Sequence, residues 1–312
     1  MTVRLRDMHT ELDRFVGDLA IFGRHLALKG IIPANAGDVS SVLSAEASKA
    51  ISKQYSKQTG KLRFSRLAEL RNIRRDGRNY YNAESVPDEL VQPLLTEIAS
   101  RVLVISATGA KLWDVERHPE KQLCLIRVTP DGRGFHILFG NEEYGLIPSI
   151  EVISHLVANA TNLRQGLQTS AALHVHPPNL VAIESHSTID GSYVEFNKVL
   201  YTQKEGVLTN ASDLIGLVPY HPSGSRALFE SSVDSIEAHR ITLWGKHGVF
   251  IRERSIERCV DLLEYAEDAA IASVRSLTNP GSFKGLEIAA LERAIGMYSI
   301  NPALLELLRE RK

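Results

Sequence analysis

Short apolar runs typical of strands alternate with longer amphipathic segments typical of helices, and this alternation is the feature that most constrains the fold of the chain. The predicted strands, rich in β-branched and aromatic residues, cover residues 102–106, 123–129, 135–139, 171–175, 240–243 and 248–252, with a further short candidate at 39–43. The predicted helices cover residues 8–29, 90–100, 150–163, 179–187 and 255–277. Because the two kinds of element are interspersed throughout, the sequence predicts an α/β or mixed architecture without a clean domain break.

The bulk properties of the chain exclude several classes of protein. Its 312 residues suit one large domain or two ordinary ones, and 44% hydrophobic residues are ordinary for a globular protein. The net charge of −1 gives no overall basic field, so we expect neither nucleic-acid nor membrane binding. The charged N-terminus does not resemble a signal peptide, and no uncharged apolar run reaches the ~18 residues of a membrane helix. The two cysteines form no Cys-x-x-Cys pair, so we expect a cytoplasmic protein in a reducing compartment.

Residues 44–82 carry an unusual concentration of basic side chains. These are Lys49, Lys53, Lys57, Lys61, Arg63, Arg66, Arg71, Arg74, Arg75 and Arg78. The simpler interpretation is a solvated helix face followed by a loop. The alternative is a flap that faces an anion, or a contact between subunits, and the sequence leaves both interpretations open.

Two histidines flank a valine at the end of a predicted strand. Side chains at positions i and i+2 of a strand point to the same face, so His174 and His176 aim at one point. The following Pro177-Pro178 ends the strand and places that point at a sheet edge. Neutral imidazole is a good ligand for zinc and similar metals, so the pair predicts a metal site. Two surface histidines at a strand end are the alternative interpretation.

A third histidine and a carboxylate are candidates for the same site. His247 lies in Gly245-Lys246-His247-Gly248, where the glycines allow the backbone to approach another element closely. Alone it is a structural histidine, but as a third ligand it would make an open, catalytic metal site. Glu151 begins a predicted helix, where the helix dipole favours a carboxylate in any case. Its functional interpretation is a general base, or a labile metal ligand, that faces the histidines.

Two turns offer places for an anion to bind. Asn35-Ala36-Gly37-Asp38 and Thr108-Gly109 combine backbone N–H groups with short polar side chains, which suits oxyanions such as phosphate. Many turns use these residues, so neither turn is specific by itself.

Taken in order, these motifs resemble those of the class II aldolase/adducin head family, over roughly residues 12–275. Three stretches carry the resemblance. They are residues 130–140, where Asp-Gly between two apolar runs also predicts a hairpin, residues 173–183, which contain His-Val-His-Pro-Pro, and residues 243–250, which contain Trp-Gly-Lys-His-Gly.

The resemblance implies a fold and an assembly. The fold is a three-layer α/β/α sandwich around a largely antiparallel central sheet, built as a single domain over residues 1–312 with a basic insertion at about residues 44–82. Enzymes of the family are homotetramers with active sites at subunit contacts, where a carboxylate from the neighbouring subunit helps to protonate the aldehyde oxygen. Glu205 falls near the position of that carboxylate.

The resemblance also implies a reaction. The enzyme would use Zn²⁺, or another divalent metal such as Co²⁺, Mn²⁺ or Fe²⁺, to cleave a ketose 1-phosphate to dihydroxyacetone phosphate and an aldehyde. The best candidates are L-rhamnulose 1-phosphate and lactaldehyde. The matching positions are His174, His176 and His247 for the metal, Glu151 for the catalytic glutamate, and Asn35, Gly37, Thr108 and Gly109 for the two phosphate-binding loops. Alternatives are another ketose-phosphate aldolase or a pentulose-phosphate 4-epimerase of the family, and a non-catalytic adducin-like binding module.

One residue departs from the family pattern. Asp38 stands in the first phosphate loop, where the family usually has an amide or a small side chain. An ionised carboxylate ~4 Å from phosphate costs roughly 4 kcal/mol per pair of unit charges at an effective dielectric constant of about 20. Asp38 could turn away and cap the next element, the anion could be held differently, or the substrate could lack a phosphate there. Lys111, one position later than the family's usual lysine, and the basic segment could offset the repulsion.

Overall fold

A nine-stranded sheet forms the centre of the computed structural model, which describes residues 9–54, 62–72, 74–75, 78–79, 83–140, 147–189, 191–211, 213–279, 281, 284–298 and 302–309. Within these ranges the strands are β1 (Asp38–Val42), β2 (Leu62–Arg63), β3 (Arg74–Arg75), β4 (Arg78–Asn79), β5 (Val102–Ser106), β6 (Leu123–Val128), β7 (Gly134–Phe139), β8 (Ser170–Val175), β9 (Gly216–Val218), β10 (Ile241–Trp244) and β11 (Gly248–Glu253). The sheet order is β2-β7-β6-β5-β1-β8-β11-β10-β9, and β3 pairs with β4 separately. Among these described strands, only the β9–β10 pair is parallel.

Helices cover both faces of the sheet. They are α1 (Thr10–Leu28), α2 (Ala45–Gln54), α3 (Asp88–Val91), α4 (Pro119–Gln122), α5 (Val152–Arg164), α6 (Pro178–Glu184), α7 (Tyr193–Gln203), α8 (Glu205–Asn210), α9 (Arg226–Ala238), α10 (Ile256–Thr278), α11 (Ile288–Tyr298) and α12 (Pro302–Arg309), with 3-10 helices at Phe64–Asn72, Gln92–Ile98 and Leu112–Asp114. In β5, Val102 and Val104 pack into the core that contains α1 and α10, whereas Leu103 and Ile105 pack into the core that contains α5 and α9. An apolar strand of this kind needs a layer on each side. The predicted three-layer α/β/α sandwich around a largely antiparallel sheet is therefore confirmed.

One predicted helix takes a different form. The helix expected over residues 90–100 is a short α-helix, α3, followed by the 3-10 helix Gln92–Ile98. Pro93 lies at the start of the 3-10 helix, and it has no amide hydrogen to continue the α-helical ladder of hydrogen bonds. The hairpin predicted at Asp131-Gly132 is present, because β6 and β7 pair in antiparallel order on either side of it.

The basic segment, residues 44–82, takes part in the sheet. It contains α2, the edge strand β2 beside β7, the 3-10 helix Phe64–Asn72, and the β3–β4 pair. Residues 55–61, 73, 76–77 and 80–82, which include Lys57 and Lys61, lie outside the described residues. An insertion in a single domain, facing an anion or another subunit, stays a prediction.

Two further properties follow from the described helices and cysteines. None of the described helices combines the length and the apolar character needed to cross a bilayer. Cys124 and Cys259 are both buried thiols that form no disulfide bond. Burial raises the pKa of the Cys259 thiol well above its ordinary value, so this side chain is protonated and packs as a small apolar group.

Candidate metal centre

Three histidines meet where β8 and β11 lie side by side. The two strands are antiparallel, with His174 opposite Phe250, so the C-terminal end of β8 meets the N-terminal end of β11. His176 follows β8 directly, and His247 directly precedes β11. Strand pairing thus brings together histidines that are far apart in the sequence.

A tight turn and a glycine make this approach possible. Lys246 adopts a positive φ of 57° in the turn between β10 and β11. Gly248 has no room for a side chain, since a Cβ atom there would lie 2.4 Å from the carbonyl oxygen of Val175 and 2.8 Å from Cδ2 of His176. Only glycine lets the backbone of β11 pass this close to the end of β8.

The three imidazole rings converge. One nitrogen from each of His174, His176 and His247 lies within 4.8 Å of the others. The Nε2 atoms of His174 and His176 are 3.0 Å apart, and Nδ1 of His174 lies 2.9 Å from the carbonyl oxygen of Val249. A carbonyl oxygen only accepts, so Nδ1 of His174 carries the hydrogen and Nε2 presents its lone pair to the cluster. Trp244 packs against His174 with ring centroids 4.8 Å apart.

Burial keeps these imidazoles neutral. Burial, and then repulsion from His247, lowers the pKa of His174 well below its ordinary value, and burial also lowers the pKa of His176. Burial and repulsion from His176 lower the pKa of His247 to about 4. Neutral imidazoles with converging lone pairs are the ligand form for a divalent metal, and three protein ligands leave a position open for substrate. The donor set therefore fits Zn²⁺ or a similar ion.

Glu151 lies against the histidines at the N-terminal end of α5. Its Oε1 accepts a hydrogen bond from Oγ of Ser223 at 2.6 Å, and its Oε2 lies 3.5 Å from Nε2 of His174. This Oε2 is buried and has no hydrogen-bond partner among the described residues. Burial, and then the negative charge of Asp38, raises the pKa of Glu151 well above its ordinary value. A buried carboxyl group that retains a proton so readily can act as an acid or a base.

Asp38, the first residue of β1, is turned towards α5. Its carboxylate accepts one hydrogen bond from Oγ of Ser149 and another, at 2.5 Å, from Nε2 of His155. Burial alone would raise the pKa of Asp38, but the interactions with His155, His174 and Ser149 together outweigh burial and hold this pKa far below its ordinary value. Oγ of Ser149 in turn accepts a hydrogen bond from the backbone N–H of Glu151, with the nitrogen 3.2 Å away. Asp38 therefore does not cap the next element, α2; it binds side chains at α5 and remains part of the cleft lining.

The two predicted phosphate turns open onto the same cleft as the histidines. The cleft has a volume of about 190 Å³, and its lining includes Asn35, Gly37, Thr108 and Gly109. Gly37 and Gly109 adopt positive φ angles of 83° and 70°. Oγ1 of Thr108 donates a hydrogen bond to the carbonyl oxygen of Pro148 at 2.9 Å, which joins the second turn to the segment before α5.

The described part of this cleft contains no fixed positive side chain. None of the described residues that line it is a lysine or an arginine. The exposed Lys111 lies outside the lining, with Nζ 5.4 Å from the ring centroid of Trp113. The indole N–H of Trp113 donates to the carbonyl oxygen of Ala34, in the first turn. Lys111 is therefore near that turn but not part of the cleft wall.

Glu205 lies apart from the cleft. It is exposed at the start of α8 and accepts a hydrogen bond from the hydroxyl group of Tyr298 at 3.2 Å. The buried residues of α8 belong to the core of α1 and α10, on the opposite side of the sheet from α5. A role for Glu205 in the site of a neighbouring subunit stays a prediction.

Sequence reasoning missed two serines that contact the carboxylates of the site. Ser149 precedes a helix, which is the usual place for a capping hydroxyl, and this signal was available. Ser223 lies 72 residues from Glu151, so no local pattern could have indicated it. His155 is fully buried, and it also binds Asp38.

Comparison with known proteins gives one family and several similar enzymes. The family model of the Class II Aldolase and Adducin N-terminal domain matches residues 91–274. The rhamnulose-1-phosphate aldolase of Klebsiella pneumoniae subsp. pneumoniae is 25% identical over 223 residues, which cover 69% of this chain and 78% of that protein. The corresponding enzyme of Listeria welshimeri serovar 6b is 28% identical over 173 residues, covering 55% and 61%. The crystal structure of a sugar-phosphate aldolase from Thermotoga maritima superposes with a TM-score of 0.61 at 23% identity, covering 88% of this chain and 100% of that one, so the two share a fold.

Proposed function

Because the chain belongs to the class II aldolase and adducin N-terminal domain family, we propose that it is a metal-dependent aldolase that cleaves L-rhamnulose 1-phosphate to dihydroxyacetone phosphate and lactaldehyde. The observation that carries this proposal is the cluster of three neutral, convergent imidazoles beside a buried carboxyl group with a raised pKa. The relatives that are named rhamnulose-1-phosphate aldolases support the choice of substrate.

In this reaction His174, His176 and His247 would hold the divalent metal. When bound, the metal would supply a Lewis acid that polarises the ketose carbonyl group and balances negative charge on the dihydroxyacetone phosphate half of the sugar. Glu151 acts as a general acid in cleavage, donating a proton to carbon 3 of the dihydroxyacetone phosphate half, and as a general base in the aldol direction, removing that proton. The raised pKa of Glu151 suits this exchange, because its protonated form persists to higher pH than that of an ordinary glutamate.

The phosphate group would bind at the turns that contain Asn35, Gly37, Thr108 and Gly109. The two glycines leave the backbone open to a close approach by an oxyanion. The carboxylate of Asp38 is engaged by two donors, which disperses its charge and reduces its repulsion of the phosphate. Since no described lysine or arginine lines the cleft, the balancing positive charge would come from the basic segment 44–82, from Lys111, or from a neighbouring subunit.

Glu205 would complete the reaction from a neighbouring subunit of a homotetramer. As the carbon–carbon bond breaks, the hydroxyl group at carbon 4 loses its proton, and a carboxylate can accept it; in the aldol direction the same group returns this proton to the aldehyde oxygen. An exposed position on the layer opposite α5 is compatible with a contribution to another copy of the chain.

Metal analysis combined with a cleavage assay tests the proposal. We expect the purified protein to bind about one divalent ion per subunit and to release dihydroxyacetone phosphate from L-rhamnulose 1-phosphate, with loss of activity on chelation and recovery on addition of Zn²⁺ or Co²⁺. His176→Ala should lose both bound metal and cleavage. His118→Ala is the matched control, since His118 is exposed and outside the cleft, and it should retain both. A protein that binds no divalent metal and cleaves no ketose phosphate would contradict the proposal.

A panel of substrates separates the related functions. If a different ketose 1-phosphate were cleaved with a higher kcat/KM, the protein would still be an aldolase, but its substrate would be that sugar. Epimerisation of L-ribulose 5-phosphate without cleavage would identify a 4-epimerase. If His176→Ala left every property of the protein intact, a non-catalytic binding module of the adducin type would replace the enzyme.

A further inference from the structure

The carboxylate of Asp38 binds α5 on both sides of Glu151. Ser149, two residues before Glu151, donates its hydroxyl hydrogen to Oδ2 of Asp38, and His155, one helical turn after Glu151, meets Oδ1 at 2.5 Å. The hydroxyl oxygen of Ser149 also accepts the backbone N–H of Glu151. One carboxylate therefore holds the residues that immediately precede and follow the proposed catalytic glutamate.

The same carboxylate fixes α5 to the strand beside the metal ligands. Asp38 in β1 is directly opposite His174 in β8. Any shift of α5 along the sheet would lengthen the hydrogen bonds to Asp38 and would also change the 3.5 Å separation between Glu151 and His174. The contact of Asp38 with α5 thus sets the distance between the acid and the metal site.

A second layer of hydrogen bonds holds His155 in place. Nδ1 of His155 lies 2.8 Å from Oγ of Ser40, and Nδ2 of Asn159 donates to the same Oγ at 2.8 Å. If Ser40 donates to Nδ1, the hydrogen of neutral His155 lies on Nε2 and points at Asp38, and protonated His155 also carries a hydrogen there. In either state His155 is a donor to Asp38, so the carboxylate keeps both of its partners. The side chains of Asp38, Ser40, His155 and Asn159 are all buried, so a polar group left without a hydrogen bond in this network would be costly.

We propose that Asp38 is a positioning residue, which, through Ser149 and His155, holds Glu151 at the metal site in the orientation required for proton transfer. This inference rests on the proposed function, in which Glu151 exchanges the proton at carbon 3. Asp38 acts through Glu151 and does not touch the reacting atoms. The role also explains a carboxylate in a loop that would otherwise favour an amide, because only a carboxylate accepts from both donors with an oxygen atom for each.

Steady-state kinetics of metal-loaded variants test the proposal. Asp38→Ala should lower kcat on the order of 10- to 100-fold, as expected for a small displacement of a catalytic group, with bound metal unchanged and no rise in KM. Asp38→Asn keeps an acceptor for His155 and should retain more activity than Asp38→Ala. Ser149→Ala removes a single hydroxyl group and should reproduce the fall in kcat, so the test does not depend on Asp38→Ala folding.

A double-mutant cycle distinguishes positioning from a separate role. In a Glu151→Gln background, Asp38→Ala should lower the residual kcat by less than about twofold, because the two residues act as a unit. A full additional loss in that background, a loss expressed in KM, or a loss of bound metal would each overturn the proposal.

Hydrogen exchange provides a readout that does not depend on the substrate. The backbone amides of residues 149–155 should exchange faster in Asp38→Ala than in the wild-type protein by about tenfold or more, since their opening becomes easier. The amides of α9, which has no contact with Asp38 among the described hydrogen bonds, serve as the internal control. Unchanged exchange in residues 149–155 would overturn the positioning role. If the wild-type protein cleaved no ketose phosphate, the proposed function would be overturned instead. The hydrogen-exchange measurement would still show whether Asp38 holds residues 149–155 in place.

Discussion

Single residues of the metal centre owe their chemistry to burial. An ordinary histidine titrates near pH 6.5, but the desolvated cluster disfavours the charged imidazolium at each of the three positions. The carboxyl group of Glu151 responds to the same surroundings in the opposite direction, because there too the neutral form is favoured. Burial thus favours the neutral form of the three histidines and of Glu151, which leaves the imidazole lone pairs available to a cation.

The first prediction concerns the pH dependence of stability in the metal-free protein. His247 has a folded-state pKa of about 4 against 6.5 in the unfolded chain, so between these values the unfolded state binds more protons. Above pH 6.5 His247 is neutral in both states and does not change the free energy of unfolding. As the pH falls from 6.5 towards 4, protonation of His247 in the unfolded state lowers the free energy of unfolding. Between pH 7 and pH 5 we expect a loss of about 2 kcal/mol from this residue, measured by urea unfolding after chelation.

The matched variants are His247→Asn and His118→Asn. The first should lose less stability than the wild-type protein over the same pH interval. His118→Asn makes the same replacement at an exposed position outside the cleft, and the loss of stability between pH 7 and pH 5 should persist in this variant. Identical pH profiles for His247→Asn and the wild type would contradict the assignment of this loss to His247.

The residues of the site were predictable to different degrees. His174 and His176 could be paired from the sequence because strand geometry alone puts positions i and i+2 on one face. His247 was joined to them only through a family resemblance, since its proximity depends on the pairing of β8 with β11. The orientation of Asp38 could not be predicted, because its two partners come from another element and lie more than 100 residues away.

Between elements, the contact of β8 with β11 is the one that assembles the metal centre. Gly248 allows it, since the backbone there runs within contact distance of Val175 and His176. The apolar runs of these strands were sufficient to predict them. The 3-10 helix over residues 92–98 was not predicted. The apolar residues there have helical spacing, which indicates an α-helix, and this pattern does not register that Pro93 lacks an amide hydrogen.

The second prediction is that Gly248→Ala weakens the metal site. The added methyl group would force β11 away from β8, and we expect a loss of about 1–3 kcal/mol in the free energy of unfolding from overpacking. Displacement of the histidines should also lower metal affinity on the order of 10-fold or more, measured by competition with a chromophoric chelator. Gly17→Ala is the control, because that exposed position in α1 has open space and alanine favours a helix. Normal metal affinity in Gly248→Ala would show that the close approach is not required.

Across the whole molecule, Glu205 belongs to the layer opposite α5, and it is not among the described residues that line the cleft. One chain therefore does not bring Glu205 to its own metal centre, whereas an assembly of several chains can bring it to another. The fold class was predictable because it depends on the order of apolar runs. The assembly could not be predicted from such a pattern, because contacts between subunits depend on surface residues that have no regular spacing in the sequence.

The third prediction is a homotetramer with shared sites. Light scattering coupled to gel filtration should give about four times the 34.5 kDa of the chain. Glu205→Gln and Glu151→Gln should each lower kcat on the order of 100-fold, as expected on removal of a general acid or base. Hybrids that contain both variant chains should regain activity, because some sites then combine an intact Glu151 with an intact Glu205. Hybrids without recovery, or a monomeric protein, would contradict the shared site.

The position of the histidines at the junction of β8 and β11 also has a consequence for folding. The pairing joins residues as much as 82 positions apart, as the pairing of Ala171 with Glu253 shows (253 − 171 = 82), and such non-local contacts form slowly because a long loop must first close. A tridentate chelate cannot exist before this closure. In the proposed metal site the cation would therefore be bound by all three histidines only late in refolding, and its uptake would report that the native topology has formed.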